Sequence, residues 1–242
     1  MPEYLEGKRA AFELLTTQTP LKRAFLQKGD HKLQDLIDQL KERSVPIKFV
    51  EKKELDSKSS HGAHNGVILE LAAYNYASLA DIIKASQDES SSLVLVLDHI
   101  TDEGNLGAIL RSAEVVGAAG VIIPNKRSAQ VSSAVYKTSA GAVLHVKLAQ
   151  VSNISQALKL LKEAGFWVAG ASEKAKQNIW QAPLEGKLAL VCGNEGFGIS
   201  PLVQKNCDFF VSLPQKGKLA SLNVAQACTA IAYEWMRRTE GA

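Results

Sequence analysis

The sequence lacks the features that identify membrane and secreted proteins. Its 242 residues contain no apolar run near the ~20 residues that a membrane-spanning helix needs. The N-terminus, MPEYLEGKRAAF, has no apolar signal core. We therefore expect a cytoplasmic protein without a membrane partner.

Cysteine is scarce, and the common phosphate and metal motifs are missing. The three cysteines, Cys192, Cys207 and Cys228, have no metal-ligand spacing and cannot all pair, which favours a reducing compartment. No GKS or GKT follows a glycine loop, and no dinucleotide fingerprint is present. The net charge of +3 permits a polyanionic partner without requiring one.

Apolar residues make up 46% of the chain, enough for a sizeable core. From residue 93 onward, short apolar runs alternate with helical patterns, which predicts an α/β fold with a largely parallel sheet covered on both faces. The predicted strands are 93–97, 121–123, 144–148, 166–171, 188–192 and 209–213. The predicted helices are 105–116, 131–138, 153–164, 200–206 and 221–238.

The N-terminal third has the pattern of a separate small α/β unit. Its predicted helices are 4–16, 32–43 and 51–58, its predicted strands are 23–26, 47–50 and 67–71, and a polar loop covers 59–66. A short helix at 79–85 and the serine-rich run QDESSS are typical of a join between domains. We expect a domain at 1–73, a linker at 74–91 and a second domain at 92–242.

Asn105-x-Gly107-x-x-x-Arg111 is the first candidate constellation. Asn105 stands where a helix N-cap is expected, and an arginine two turns later could simply be exposed. Gly107 is less easily explained, because a glycine early in a helix costs roughly 1 kcal/mol relative to alanine. Its presence indicates a close approach of the backbone to another group.

Two further constellations follow the strands at 188–192 and 209–213. The turn Gly193–Gly198 contains a lone acid, Glu195, at a strand end where α/β folds bind ligands, although a tight turn alone would also explain its glycines. The segment 214–223 carries Lys216 and Lys218, which suit phosphate contact but could be ordinary loop charge. Ser221 is expected to be the N-cap of the last helix.

Together the three constellations resemble the three ordered motifs of the SpoU (TrmH) branch of the SPOUT RNA methyltransferases. The resemblance covers about residues 92–240 and includes the stretch Ser139–Val143. The N-terminal unit, with Gly7-Lys8 near its start and His64–Val67 near its end, resembles the substrate-binding domain of the rRNA members. Departures such as Gln215, where methionine is common, bear on the choice of nucleotide rather than on the chemistry.

The resemblance implies a trefoil-knotted α/β domain that transfers a methyl group from S-adenosylmethionine, without a metal, to a ribose 2′-hydroxyl. It implies catalytic roles for Asn105, Arg111, Glu195, Ser221 and Asn223. It implies cofactor contacts from Gly193, Asn194, Gly196, Leu213, Pro214, Gly217 and Leu222. The RNA contacts expected are Lys8, Arg9, Lys22, Arg23, His64 and Lys216.

The expected substrate is 23S ribosomal RNA, and the expected assembly is a homodimer in which Arg111 lies near the partner's cofactor. Two alternatives remain open, namely a tRNA ribose methyltransferase of the same fold and a catalytically idle RNA-binding dimer. The role of Arg111 is also open. The family proposal makes it the general base, but a free guanidinium has a pKa above ~12, so binding a phosphate and stabilising the alkoxide is equally economical.

Overall fold

The computed structural model describes residues 4–17, 19–59, 62, 64–218 and 221–240. Its contacts divide the chain into two compact units. The first comprises Met1–Asn75 with Val131–Lys137, and the second comprises Tyr76–Gln130 with Thr138–Ala242. Among the described residues, no helix is both long and apolar enough to cross a bilayer.

The first unit is a four-stranded sheet in the order β1-β4-β2-β3, with helices packed on it. Leu33, Leu36 and Leu40 recur at the helical period and are at most 1% exposed, because they lie on the buried face of a 3₁₀ turn and the α-helix that follows it. The elements are β1 (Tyr4–Glu6), α1 (Lys8–Leu15), β2 (Leu21–Gln27), a 3₁₀ turn (His31–Leu33), α2 (Gln34–Glu42), β3 (Ile47–Val50), α3 (Lys52–Lys58) and β4 (Val67–Leu71).

The start of the first unit differs from the prediction of one helix over 4–16. Tyr4–Glu6 is instead a strand that pairs antiparallel with β4, and Gly7, at a φ of 99°, turns the chain from this strand into α1. Pairing with the edge of the sheet outweighs the local helical pattern of these residues. A three-residue strand is too short to show an alternating pattern in the sequence. Of the predicted polar loop 59–66, residues 60, 61 and 63 lie outside the described residues.

The second unit is built on a six-stranded sheet in the order β10-β8-β9-β5-β6-β7. Every paired neighbour runs parallel, and β5 is buried along its whole length, as expected for a sheet covered on both faces. The strands are β5 (Ser92–Asp98), β6 (Gly120–Pro124), β7 (Leu148–Val151), β8 (Trp167–Ala171), β9 (Lys187–Gly193) and β10 (Phe209–Val211).

The helices of this unit are α4 (Leu79–Ala85), α5 (Glu103–Val115), α7 (Ile154–Glu163), α8 (Pro201–Gln204) and α9 (Val224–Glu240). Helix α6 (Ser133–Thr138) belongs, except for Thr138, to the first unit. The predicted strand at 144–148 was wrong in position, because a 3₁₀ turn occupies Ala142–Leu144 and β7 begins only at Leu148. Two predicted caps were also misplaced. Asp102, not Asn105, caps α5, and α9 begins at Val224 rather than at 221.

The segment predicted as a linker contributes to the core of the second unit. Ser78 and Asp81 form a capping box that starts α4, and Ile82 on this helix is fully buried in the cluster of apolar side chains against the sheet. Gly120 leaves room for it, since a Cβ there would lie 2.6 Å from Ile82 Cδ1. The domain boundaries themselves stay a prediction.

The order of the strands determines where a ligand can bind. From β5 the chain proceeds outward on one side through β6 and β7, and it then returns to the other side of β5 with β8, β9 and β10. Ligands in open parallel sheets bind beyond the carboxyl ends of the strands at such a reversal. The reversal lies between β5 and β9, whose ends are Asp98 and Gly193. The predicted α/β class with a parallel sheet is confirmed.

Candidate active site

Three of the predicted polar residues form one hydrogen-bonded line. Asn105, in the first turn of α5, donates from Nδ2 to Glu195 Oε1 at 2.6 Å. Its Oδ1 accepts a hydrogen bond from Asn223 Nδ2 at 2.9 Å. The fold therefore joins three motifs that are separated by 90 and 118 positions in the chain.

Asn223 also starts the last helix. Its Oδ1 accepts a hydrogen bond from the backbone N–H of Ala225 at 2.9 Å, which satisfies a donor that the helix leaves open. The predicted cap, Ser221, lies two residues too early for this function. Ser221 is exposed and has no hydrogen-bond partner among the described residues, so its hydroxyl is available to a ligand.

The glycine turn is fixed by its own asparagine. The backbones of Asn194 and Gly198 pair across the turn, while the Asn194 side chain accepts from Gly196 N and donates to the carbonyl of His99. Gly193 has no space for a side chain, because a Cβ would lie 2.2 Å from the carbonyl carbon of Gly198. The glycines thus permit a tight turn that presents Glu195 and Phe197 at its tip.

Asp98, which was not predicted from the sequence, supports the backbone next to the glycine turn. It ends β5, its side chain is fully buried, and its carboxylate accepts from Ser200 N at 2.6 Å and pairs with His99 Nδ1 at 2.7 Å. His99 has a φ of 64°, an uncommon conformation for a residue other than glycine. An acid directly after the apolar run 93–97 was a signal that could have identified this connection between β5 and the glycine turn.

A cavity of about 370 Å³ opens at the carboxyl ends of β8, β9 and β10, a size that suits a small-molecule ligand. Of the predicted residues, Gly193, Asn194, Glu195, Leu213, Ser221, Leu222 and Asn223 line it. The wall also contains residues that were not predicted from the sequence, namely Ala171, Ser172, Glu173, Val211, Val224, Ala227 and Ile231. The end of the strand predicted at 166–171 could have indicated the first three, since it is a parallel strand end beside the site.

Other predicted residues lie outside this cavity wall. Gly196 lines a second cavity next to it, and Pro214, Lys216 and Gly217 are exposed on the loop that follows β10. Arg111 is exposed on α5, without a hydrogen bond or ion pair to any other described residue. Its guanidinium is therefore free to meet a group from outside this chain.

The residues of the first unit that were predicted to contact RNA differ in their exposure and in the partners that their side chains already have. Lys22 and Arg23 both pair with Glu70, whose side chain is 7% exposed. His64 is 4% exposed, with Nδ1 accepting from Gly66 N and Nε2 bonded to Asp56. Lys8 donates to the carbonyl of Lys32, and Arg9 is exposed. RNA binding by these residues stays a prediction.

Two thiols of the second unit are unsuited to nucleophilic chemistry. Burial raises the pKa of Cys207 to about 12. The hydrogen bond that the Cys228 thiol makes to Cys192, together with burial, raises the pKa of Cys228 well above its usual value. Both groups therefore stay protonated at neutral pH. No group of three potential metal-ligating side chains occurs among the described residues.

Two solved structures show that the fold is shared with SpoU-type and TrmH-family proteins. The SpoU methyltransferase AviRb of Streptomyces viridochromogenes, in complex with its cofactor AdoMet, superposes with a TM-score of 0.73 at 22% identity, covering 98% of this chain and 90% of that one. A TrmH-family structure from Porphyromonas gingivalis superposes with a TM-score of 0.65 at 26% identity, covering 98% and 90%. The predicted fold class, a SpoU-type α/β domain with a small N-terminal α/β domain, is confirmed.

The amino-acid sequence assigns the family. Residues 92–233 match the SpoU rRNA Methylase family, and residues 4–77 match the domain described as RNA 2′-O ribose methyltransferase substrate binding. A TrmH-family protein of Bacillus subtilis (strain 168) is 36% identical over 239 residues, 98% of this chain and 96% of its own length. One of Staphylococcus haemolyticus is 36% identical over 235 residues, 96% and 94% of the two chains. The chain belongs to the SpoU family of RNA methyltransferases.

Proposed function

We propose that this protein transfers the methyl group of S-adenosylmethionine to a ribose 2′-hydroxyl of ribosomal RNA. The observation that carries the proposal is the hydrogen-bonded line Glu195–Asn105–Asn223 at the edge of the cavity of about 370 Å³, with the free hydroxyl of Ser221 beside it. Family membership supplies the class of reaction, and the name of the matched substrate-binding domain supports the ribose as the acceptor.

The lining of the cavity suits S-adenosylmethionine. Val211, Leu213, Leu222 and Ile231 offer apolar surface to a planar base, and Asn194 and Glu173 offer polar groups to a ribose or an amino acid. When bound, this cofactor supplies a methyl group on a positively charged sulfur. Two related structures, AviRb and an rRNA methyltransferase of Sinorhizobium meliloti, were solved with AdoMet. We propose that no metal takes part.

The side chains at the edge of the cavity orient the acceptor. A ribose hydroxyl is a weak nucleophile that must lose its proton as it attacks in line, so its position matters greatly. Ser221 is exposed at this edge and can accept or donate a hydrogen bond to the 2′-hydroxyl. Asn105 holds the Glu195 carboxylate in place, and Asn223 holds Asn105, so the three motifs keep one geometry.

Arg111 acts on the RNA in this proposal. Because the chain itself offers its guanidinium no partner among the described residues, the charge is available to the phosphate next to the target ribose and to the developing alkoxide.

We further propose a homodimer in which Arg111 serves the site of the partner subunit. Light scattering should then show a dimer at working concentration, and an active monomer would contradict it.

The division of labour follows the two matched regions. We propose that the domain at 1–73 selects the RNA, that the domain at 92–242 carries out the reaction, and that both work in the cytoplasm.

Ribosomal RNA is favoured as the substrate because the matched family is described as an rRNA methylase family, while the relatives are named for tRNA and rRNA together. A tRNA substrate is therefore the second candidate. An idle RNA-binding dimer is disfavoured by the intact line Glu195–Asn105–Asn223.

Mapping ribose methylation in a strain that lacks the gene tests the substrate. We expect one 2′-O-methyl mark to disappear from 23S ribosomal RNA, to return with the wild-type gene, and to stay absent with Arg111→Ala. Loss of a mark from tRNA alone would favour the second candidate. An unchanged map in both RNA classes would overturn the proposed function.

A further inference from the structure

A second cavity, of about 640 Å³, adjoins the first one. The two cavities meet along the end of β8, the glycine turn and the segment 214–223. The residues that line both are Ala171, Ser172, Glu173, Asn194, Glu195, Gly198 and Ser221. Ser221, which the proposed function places next to the reacting hydroxyl, stands at this boundary. A nucleotide whose ribose is at Ser221 would therefore reach into the second cavity with its base or its phosphate.

Phe197 gives this cavity an aromatic surface. Its side chain is 64% exposed at the tip of the glycine turn, although burial of a phenylalanine is strongly favourable. The turn beneath it is held by Asn194, which accepts from Gly196 N at 2.8 Å and pairs with Gly198. The ring is thus presented on a fixed support, as a surface for stacking requires. Base–aromatic stacking typically changes RNA affinity by about 5- to 150-fold.

Two lysines supply the charge that a nucleotide needs. Lys174 and Lys176 line the same cavity, are exposed, and have no carboxylate within ion-pair distance among the described residues. Two carboxylates face this cavity as well, Glu173 and Glu195, and Glu195 already accepts a hydrogen bond from Asn105. Free ammonium groups beside an exposed ring match the phosphate and the base of an RNA strand.

We propose that the second cavity binds the target nucleotide of an unpaired RNA segment, with Phe197 stacking on its base and Lys174 and Lys176 contacting its phosphates. This inference rests on the proposed function, because it places the ribose at Ser221. Stacking on Phe197 requires a base that is splayed out of a helix, so the substrate is a loop, a bulge or an opened strand rather than a continuous duplex. Phe197, within the glycine turn, then determines which RNA is bound, in addition to the five residues predicted to be catalytic.

The test compares Phe197→Ala, Phe197→Leu and Phe197→Trp in the full-length protein. Leucine keeps apolar volume and removes the aromatic face, whereas tryptophan keeps the face. We expect Ala and Leu to raise KM for ribosomal RNA about tenfold with cofactor affinity unchanged, and Trp to stay within about twofold of wild type. Unchanged KM in Ala and Leu would overturn the inference. Dissociation of an oligomer by Phe197→Ala, seen by light scattering, would also overturn it, because the ring would then cover a second copy of the chain.

A binding measurement separates this inference from the proposed function. Ligand-observed NMR with the four nucleoside 5′-monophosphates, on protein saturated with S-adenosylhomocysteine, should show contacts to base protons that disappear in Phe197→Ala. Base contacts without methyl transfer would support the cavity and contradict the proposed function. Methyl transfer that is insensitive to Phe197, with no base contacts, would contradict only the cavity.

The lysines have their own readout in the salt dependence of RNA binding. Replacing Lys174 and Lys176 by alanine should reduce the slope of log affinity against log salt by about 1.4, since each phosphate contact on a single strand contributes ~0.7. Lys159→Ala is the matched control, because Lys159 is an exposed lysine on α7 outside both cavity walls. An equal slope in the double variant and the control would contradict the phosphate contacts.

Discussion

At the residue scale, the amide of Asn105 suits its position because it donates and accepts a hydrogen bond at the same time. It donates to the Glu195 carboxylate with one atom and accepts from Asn223 with the other. Aspartate, which has almost the same shape, can only accept when it is ionised. The line of three residues therefore depends on the amide rather than on the size of the side chain.

Asn105→Asp should for this reason impair both the site and the fold. The new carboxylate would face Glu195 without a hydrogen between them, and like charges repel at this distance. We expect a loss of about 1 kcal/mol in unfolding free energy and of about 100-fold in kcat. Asn206→Asp, on an exposed asparagine side chain that bonds the carbonyl of Leu202, is the control. Full activity of Asn105→Asp would remove the line from the mechanism.

Gly107 offers a second test at this scale, because helix propensity and packing predict opposite signs. Alanine in a helix interior is favoured over glycine by roughly 1 kcal/mol. At this position, however, a Cβ would lie 1.9 Å from Thr138 Oγ1 and 2.9 Å from Ser139 N. We expect Gly107→Ala to destabilise the protein by about 2 kcal/mol in urea unfolding. A gain in stability would show that these two segments do not pack as described.

At the scale of elements, the sequence predicted most helices and strands of the second unit, because buried parallel strands are continuous apolar runs. The site was predicted from three motifs, and three of their five predicted polar residues, Asn105, Glu195 and Asn223, do meet. The sequence could not show that Asn223 rather than Ser221 caps α9, since the side-chain contact that decides this depends on the position of Asn105. Likewise, the burial of Ile82 depends on space above Gly120, which lies 38 positions further along the chain.

The position of α4 changes how the second unit should be isolated. A fragment that starts near Ser90 lacks Ile82 and exposes the apolar surface that this side chain covers. A fragment that starts at Tyr76 keeps it. We expect the longer fragment to unfold at a higher temperature, by several degrees, because burial of an isoleucine contributes about 2 kcal/mol. Equal melting temperatures would show that α4 is dispensable to this core.

The last helix gives a prediction for acidic pH. Hydrogen bonds from Arg237 and Arg238 to Glu234 lower the pKa of this carboxyl from 4.5 to about 2. Arg238 also donates to the carbonyls of Ile179 and Trp180, which connects the end of α9 to the loop between β8 and β9.

Because the pKa of Glu234 is lower in the folded state, its contribution is present above pH 4.5 and is lost as the pH falls toward 2. We expect Glu234→Gln to cost on the order of 1 kcal/mol at pH 7 and to flatten the decline of stability between pH 4.5 and 2. The measurement is unfolding by denaturant at a series of pH values. Parallel curves for the two proteins would contradict the role of this ion pair.

At the scale of the whole molecule, the chain combines a matched substrate-binding region with a matched methylase region. Neither match identifies the nucleotide that is modified. The described site supplies hydrogen-bonding side chains for orientation, a cavity that suits the cofactor, and an arginine with no partner in its own chain among the described residues. We therefore propose that the chemistry at this site moves a methyl group from the cofactor to a ribose oxygen.

Methyl transfer by the purified protein tests this claim most directly. The assay combines full-length protein, S-adenosylmethionine labelled in its methyl group, and ribosomal RNA from a strain that lacks the gene, with Arg111→Ala as the inactive control. We expect the label to enter the RNA and to survive alkaline hydrolysis in a single dinucleotide, because a methylated 2′-oxygen cannot attack the neighbouring phosphate. Label on a base, or none in either ribosomal RNA or tRNA, would contradict it.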